Sequence, residues 1–440
     1  TPLYSSAASD VYKRQILVNE GGVMLINILR VMITRSFMPF VFQNNNCNKQ
    51  IDYDVPNLGL YVHVPFCKEL CPFCPYYKIK YEASLASKYV DALIKEIYLK
   101  SSKVGKKKVI TSLYFGGGSP SLIINSLGRV LDAFKEHFVI EGNIGTELHP
   151  DNVTPSLIAK LKNIGFDIVS LGIQSFNERN LSTLDRKEKS DNRQKLEMIA
   201  KKGFRAIDVD LIFGIPGQTP KDLREDMIKA DEYGATQIST YPFIDFTYAN
   251  NEQKPLNKRE KKILLDSIVK TSEEMGFSRT SVWTFAKKDT PKYSSITRDN
   301  YLGYGPSATT LLKDNFRINT FSVTEYINTL EDNRIPTALI LNFSKRARYL
   351  YWLFWSCYNL DIDKNNFFQL FNKDLDSNFW WEIKIGKLLG IIENNEDGYK
   401  LTDKGAYLFH LVEQKYTNQY IDKTWRMARK TPWPEKIVLY

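Results

Sequence analysis

Three of the chain's five cysteines, Cys67, Cys71 and Cys74, fall within eight residues, in the run Phe66-Cys67-Lys68-Glu69-Leu70-Cys71-Pro72-Phe73-Cys74. Five cysteines in 440 residues cannot make a disulfide scaffold, and this crowding points to metal in a reducing compartment. A zinc ion takes four protein ligands, commonly from paired two-cysteine knuckles. Cys47 and Cys357 lie in segments without metal-ligand spacing, and His63 precedes the run in the same strand. Three thiolates in one loop also suit one face of a cubane, where three irons of a [4Fe-4S] cluster are held and the fourth is left open. An open iron is where the amino and carboxylate groups of S-adenosylmethionine can chelate, and an electron from the cluster can cleave the sulfonium to a 5'-deoxyadenosyl radical.

The elements that must hold such a loop begin at residue 58. Strands are predicted over Leu58 to Val64, Val109 to Phe115, Ile144 to Leu148, Ile168 to Ile173, Ala206 to Phe213 and Gln237 to Tyr241. Between them, apolar residues at three and four spacing predict helices over Ser84 to Lys100, Ser121 to Phe138, Thr154 to Ile164, Asp191 to Lys202 and Pro220 to Tyr233. Thr154-Pro155 and Thr219-Pro220 have the form of an N-cap with proline in the first turn. Six strands alternating with helices predict an α/β fold in which a parallel sheet curls into a full or partial barrel. The cysteine run follows the first strand, which places it at the barrel mouth, where chemistry is assembled.

After about residue 250 the alternation gives way to a charged helix from Lys258 to Met275, a strand-like run from Ser281 to Phe285, and a glycine loop from Tyr301 to Pro306. The last hundred residues are helix-rich and aromatic, with a hairpin from Gly390 to Leu401 before a helix from Thr402. That order predicts a winged-helix-like module serving as a cover over the mouth rather than as a DNA reader. The expected division is a probable non-native leader over 1–15, an N-terminal helix and linker over 16–50, the partial barrel over 51–250, a post-barrel extension over 251–340 and a helical C-terminal module over 341–440. Met24 is a candidate true start. The apolar stretch from Leu25 to Phe42 is broken by Asn27, Arg30, Arg35 and Pro39, so it is expected to be a packing helix rather than a span or signal. No membrane span and a cytoplasmic location are therefore expected.

An apolar fraction of 43% and a charged fraction of 25% are globular values that exclude collagen-like and disordered classes. The net charge of +10 permits an anionic partner without demanding one. Lys100, Lys103, Lys106, Lys107 and Lys108 read as a solvated loop. They have no interleaved aromatics for stacking, so nucleic acid is not expected.

Five further runs join the cysteines: Tyr61-Val62-His63-Val64-Pro65-Phe66-Cys67, Tyr114-Phe115-Gly116-Gly117-Gly118-Ser119-Pro120-Ser121, Glu147-Leu148-His149-Pro150, Ser170-Leu171-Gly172-Ile173-Gln174-Ser175-Phe176 and Asp208-Val209-Asp210-Leu211-Ile212-Phe213-Gly214-Ile215-Pro216-Gly217-Gln218-Thr219. In this order they resemble the radical S-adenosylmethionine (SAM) superfamily. The branch is that of the oxygen-independent coproporphyrinogen III oxidases, with heme chaperone and class C radical methyltransferase relatives. The resemblance runs from about Tyr61 to Phe321, and more weakly to about residue 410. It implies a partial (β/α)6 barrel of radical SAM type, a [4Fe-4S] cluster on Cys67, Cys71 and Cys74, and S-adenosylmethionine as cofactor.

The resemblance further implies that Gly116, Gly117 and Gly118 hold the methionyl group and that Phe73 packs near the adenine. Glu147, Gln174 and Asp210 fall around the ribose, methionyl group and sulfonium, and Arg186 near the carboxylate, with Tyr61 and Ser119 also among the cofactor-binding residues. The activity it implies is hydrogen abstraction from an organic substrate, a tetrapyrrole, served by a low-potential electron donor such as flavodoxin or ferredoxin. Methyl transfer and non-catalytic heme handling are the alternatives. The oxidase carries a fourth cysteine two residues past the third, where this chain has Tyr76, and the chaperone branch lacks it too. His137, His149 and His410 have no partners at catalytic spacing and are expected to be structural.

Overall fold

A computed structural model describes residues 35–36, 38–44, 54–101, 107–186, 191–249, 251, 253–291 and 299–439. The leader over 1–15, Met24, Cys47 and most of the 25–42 stretch lie outside them.

Seven parallel strands form the middle of one mixed sheet. In spatial order they are β6 (Gln237–Pro242), β5 (Ala206–Phe213), β4 (Ile168–Gln174), β3 (Phe138–Leu148), β2 (Lys108–Gly117), β1 (Leu58–Val64) and β7 (Asn300–Tyr304). Helices α1 (Ala83–Ser101), α2 (Ile124–His137), α3 (Pro155–Ile164), α4 (Asn192–Ala200) and α5 (Pro220–Glu232) make the crossovers. The alternation along β5 shows how the sheet divides its labour. Ile207, Val209, Leu211 and Phe213 enter the core shared with the helices, while Asp208, Asp210 and Ile212 take the other face. Thr154 and Thr219 cap α3 and α5 through the Leu157 and Asp222 amides, as their sequence context predicts. The predicted helix over 121–138 is instead a 3-10 turn over Pro120–Ile123 followed by α2, with Phe138 already in β3.

β7 is the main departure from the sequence reading, which has a glycine loop there. Tyr301 pairs with Gly59 and Tyr304 with Val62, in parallel with β1. A Cβ on Gly303 would meet the Thr309 carbonyl oxygen at 2.1 Å, and a glycine in so short a run erases the alternation that marks a strand. Beyond β7 the sheet turns antiparallel through Thr309–Leu312, Asn315–Asn319 and Thr337–Asn342, then takes in Phe40–Gln43 and Lys436–Leu439. Phe40–Gln43 belongs to the stretch expected to be helical. Its partner lies at the opposite end of the chain, where local periodicity cannot show it.

After α6 (Lys258–Glu274), the C-terminal region packs α7 (Lys345–Tyr358), α8 (Lys364–Phe371), α9 (Leu375–Leu388), the predicted hairpin (Ile392–Asn394 and Gly398–Leu401) and α10 (Asp403–Tyr416). A third strand, Asp361–Asp363, joins the hairpin, and Trp352, Phe367, Phe379 and Tyr399 give this region a core of its own. It seals the side of the sheet beyond β6: the Val282 amide donates to the Tyr358 carbonyl at 2.9 Å and Trp283 Nε1 to His410 Nδ1 at 2.9 Å. Among the described residues no helix is long and apolar enough to cross a membrane.

The lysine run is not uniformly solvated. Lys100 is buried and pairs with Glu96 at 2.7 Å, while donating to the Gly303 carbonyl at 2.7 Å. Glu96 also accepts from the Gly305 amide at 2.8 Å, the Tyr326 hydroxyl at 2.6 Å and the Asn319 amide at 2.9 Å, which fastens α1 to β7 and the turn after it. Removing one member of a buried pair strands the other charge. Glu96→Gln is therefore expected to lower unfolding free energy by about 3 kcal/mol in chemical denaturation, and adding Lys100→Met to recover much of the loss. Parental stability in the single variant would refute the role of the pair.

Candidate functional site

Past β1 the chain runs through Phe66–Cys67, which pairs with Ile79–Lys80. The Ile79 amide donates to the Pro65 carbonyl at 2.7 Å and the Tyr81 amide to the Cys67 carbonyl at 2.8 Å, so the cysteine loop is closed at its base. Inside the loop the Cys74 amide reaches the Cys71 carbonyl at 3.3 Å, and Lys78 Nζ donates to the Cys74 carbonyl at 2.9 Å.

The end of β2 threads directly against this strand. The Gly118 amide donates to the Val64 carbonyl and the Ser119 amide to the Phe66 carbonyl, each at 2.7 Å, and the Ser119 side chain bonds the Cys67 thiol. A Cβ on Gly118 would lie 2.5 Å from the Phe66 carbonyl oxygen, and one on Gly117, whose φ is +106°, 2.6 Å from the His63 ring. Burial pushes the Cys67 thiol up to about 12, and the neighbouring Cys74 and Cys71 add to the shift. Burial raises Cys71 as well, opposed by Arg186.

Among the described residues no three His, Cys, Asp or Glu side chains converge as ligands of a single ion. Three thiols on one loop, with Cys74 and Cys71 acting electrostatically on Cys67, suit a group of several metal atoms. Among the described residues a zinc set lacks its fourth ligand. Both His63 ring nitrogens are taken, Nδ1 by the Tyr61 hydroxyl at 3.1 Å and Nε2 by the Tyr77 carbonyl at 2.8 Å, and Cys357 sits half-buried in α7.

Across from the cysteines stands Glu147, at the end of β3. It accepts from the Gly117 amide at 3.1 Å and from the Tyr114 hydroxyl at 3.2 Å, and the Tyr114 ring stacks on Tyr61 with centroids 6.3 Å apart. Burial, reinforced by Asp210, pushes its carboxyl up to about 8. Asp210 accepts from Ser170 Oγ at 2.8 Å, and burial raises it to about 6 against the pull of Ser170 and Arg186. Gln174 adopts φ +71° at the bulged end of β4, with its amide folded under Gly172. Arg186 is buried, donates to the Gly172 carbonyl, and lies within electrostatic reach of Cys71 and Asp210. Phe73 packs on an apolar patch of Leu184, Ile212, Ile215 and Phe243. The structure thus gathers the sequence-predicted residues around one end of the parallel strands. The three histidines outside this set have other engagements: His410 between Trp283 and Gln414, His149 accepting from the Asp151 amide, His137 edge-on to Tyr98.

Several residues at the site escape a motif reading. Tyr76 is 43% exposed and Tyr241 is 38% exposed, and Asp210 and Tyr358 act electrostatically on both. Helix α11 (Asp422–Ala428) packs beside Tyr76: Asp422 accepts from the Thr247 amide and hydroxyl, both at 2.7 Å, Trp425 meets Tyr76 with centroids 6.1 Å apart, and Arg429 donates to the Pro75 carbonyl at 2.7 Å. Tyr114 alternates with Gly116 on the strand and was within reach of a periodicity argument. Arg429 had no local signal at all.

Residues 61–230 match the Radical SAM superfamily, so this stretch is a Radical SAM domain. Among curated proteins, the chain is 25% identical over 365 residues to the heme chaperone HemW of Bacillus subtilis, covering 79% of this chain and 96% of that one. It is also 24% identical over 407 residues to the oxygen-independent coproporphyrinogen III oxidase of Synechocystis, covering 82% and 85%. Among solved structures it is similar in fold to coproporphyrinogen III oxidase (HemN) from Escherichia coli, with a TM-score of 0.73 at 20% identity, covering 89% of this chain and 98% of that one.

The raised carboxyl of Glu147 has a definite pH signature in the ligand-free chain. Its native form holds a proton that the unfolded chain has released, so stability falls as pH rises from about 4.5 to about 8. Relative to Glu147→Gln, the parent is expected to lose about 1.4 kcal/mol per pH unit across that window in denaturant titrations. A pH-independent gap would show that Glu147 is ionised in the empty site.

Proposed function

We propose that this chain is a radical SAM protein in which Cys67, Cys71 and Cys74 hold a [4Fe-4S] cluster and S-adenosylmethionine lies along Gly116, Gly117, Gly118 and Ser119, bounded by Tyr61, Phe73, Glu147, Gln174, Arg186 and Asp210. The observation that carries this reading is the side-chain-free threading of residues 116–118 against the cysteine strand, with Glu147 bonded to Gly117. When bound, the cluster supplies the electron, drawn from a low-potential donor such as flavodoxin or ferredoxin, that cleaves the sulfonium to a 5'-deoxyadenosyl radical.

The protein's own residues bind and orient. Backbone groups of residues 116–118 approach a ligand without Cβ interference. Glu147, held by Tyr114 and the Gly117 amide, accepts hydrogen bonds from an ammonium or hydroxyl group, and a positive ligand draws its carboxyl back to the ionised form with release of a proton. The Arg186 fork suits a carboxylate. Phe73 and its apolar patch suit a purine face.

The substrate in this reading is a tetrapyrrole seated against the exposed rings of Tyr76 and Tyr241, from which hydrogen is abstracted. The names of the relatives support a tetrapyrrole. A second reading, a heme-handling protein without radical turnover, is favoured by Tyr76 standing where the oxidase family has its fourth cysteine.

Anaerobically reconstituted chain given S-adenosylmethionine and dithionite is expected to form 5'-deoxyadenosine by mass spectrometry, faster with coproporphyrinogen III present. Cys67→Ala is expected to abolish cluster absorbance and deoxyadenosine together, and retention of both would sink the reading. Accompanying S-adenosylhomocysteine would redirect it to methyl transfer. Stoichiometric heme binding by an intact-cluster protein that forms no deoxyadenosine would establish the second reading.

A further inference from the structure

The cysteine loop is held from outside by a residue at the far end of the chain. Arg429, just past α11, donates to the Pro75 carbonyl at 2.7 Å, and the Tyr248 hydroxyl donates to the same oxygen at 3.3 Å. Its guanidinium lies 4.3 Å from the Tyr248 ring centroid and 5.9 Å from those of Tyr77 and Phe321, an aromatic box whose ring faces offset part of the hydration that burial costs the cation. The helix carrying it is pinned separately, by Asp422 on Thr247. The carbonyl that Arg429 holds belongs to the residue after Cys74, and Cys74 in turn acts electrostatically on Arg429. Lys78 is a second cation at the loop, bonded to the Cys74 carbonyl at 2.9 Å, and Arg186 acts on Cys71.

We propose that Arg429 is a positioning residue for the cysteine loop, fixing the peptide that follows Cys74 through the Pro75 carbonyl, and that its charge raises the reduction potential of the cluster the cysteines hold. The inference rests on the functional reading above. Reduction adds one negative charge to the cluster, and a fixed cation beside one of its ligands stabilises the reduced state more than the oxidised one. Arg429 thereby makes the cluster easier for a donor to reduce without touching it.

The test uses the full chain, anaerobically reconstituted, with iron and sulfide counted per chain and the midpoint potential read by electron paramagnetic resonance in a redox titration. Arg429→Gln is expected to shift the midpoint to more negative values, and Arg429→Lys, which keeps the charge, to stay nearer the parent. Asp422→Asn loosens the same helix but removes a negative charge, so it is expected to shift the midpoint in the positive direction or leave it unmoved. Loss of the cluster in a folded Arg429→Gln, with retention in Arg429→Lys, also supports the role. An unchanged midpoint in Arg429→Gln overturns it, as does a negative shift of equal size in Asp422→Asn, which would trace the effect to the helix rather than the charge. A parent chain that takes up no [4Fe-4S] cluster would fail the functional reading instead, independently of Arg429.

Discussion

Two backbones at the mouth approach more closely than side chains permit, and the rest of the site depends on that contact. With a methyl group on residue 118 the Phe66 carbonyl would have to move, and both amide hydrogen bonds that join the end of β2 to the cysteine strand would open. Ser119 would then leave the Cys67 thiol, and Gly117 would leave Glu147. His63 closes the other side of the same contact. Its ring fills the space a side chain at 117 would need, and its two nitrogens are committed to Tyr61 and to the Tyr77 carbonyl. The glycines are thus a steric requirement with consequences that reach three strands.

The face of the sheet that carries Asp208 and Asp210 is correspondingly poor in self-sufficient interactions. Glu147, Asp208 and Asp210 are carboxyls that burial raises, and side-chain donors on neighbouring strands, Ser239 and Gln237 for Asp208 and Ser170 for Asp210, offset this only in part. Such groups are unfavourable in an empty protein, and the apolar residues on the opposite faces of the same strands carry the stability that tolerates them. A ligand bearing a positive charge and hydroxyl donors reverses that balance. Binding to this face and deprotonation of its carboxyls are two sides of one equilibrium.

What was legible in the sequence follows the range of the interaction concerned. β1 and β5 match their predicted bounds because alternation and flanking turns are local signals. The cysteines and the glycine run could be placed at the mouth because strand ends dictate it. β7 was missed because Gly303 interrupts a run of five residues, and Phe40–Gln43 because its partner is at the other terminus. Lys100 was misread because its counter-charge, Glu96, points inward on a helix whose charges otherwise look solvated. The sequence marks Tyr76 only by the cysteine it replaces, because its ring contact with Trp425 and its coupling to Tyr358 come from far along the chain.

That last point bears on why cofactor and substrate are unequally readable. The residues proposed to hold the cofactor lie on strands and loops between residues 61 and 213, within the stretch that matches the Radical SAM superfamily. The surroundings of Tyr76 draw on residues from outside it: Tyr241 from β6, Tyr358 from α7, Trp425 from α11 and, behind the loop, Arg429. A wall assembled from the C-terminal half can change its shape and polarity while the cysteine loop and glycine run stay as they are. A shared mouth can therefore belong to a coproporphyrinogen III oxidase in one relative and to a heme chaperone in another, the difference falling to residues that the superfamily's motifs do not reach.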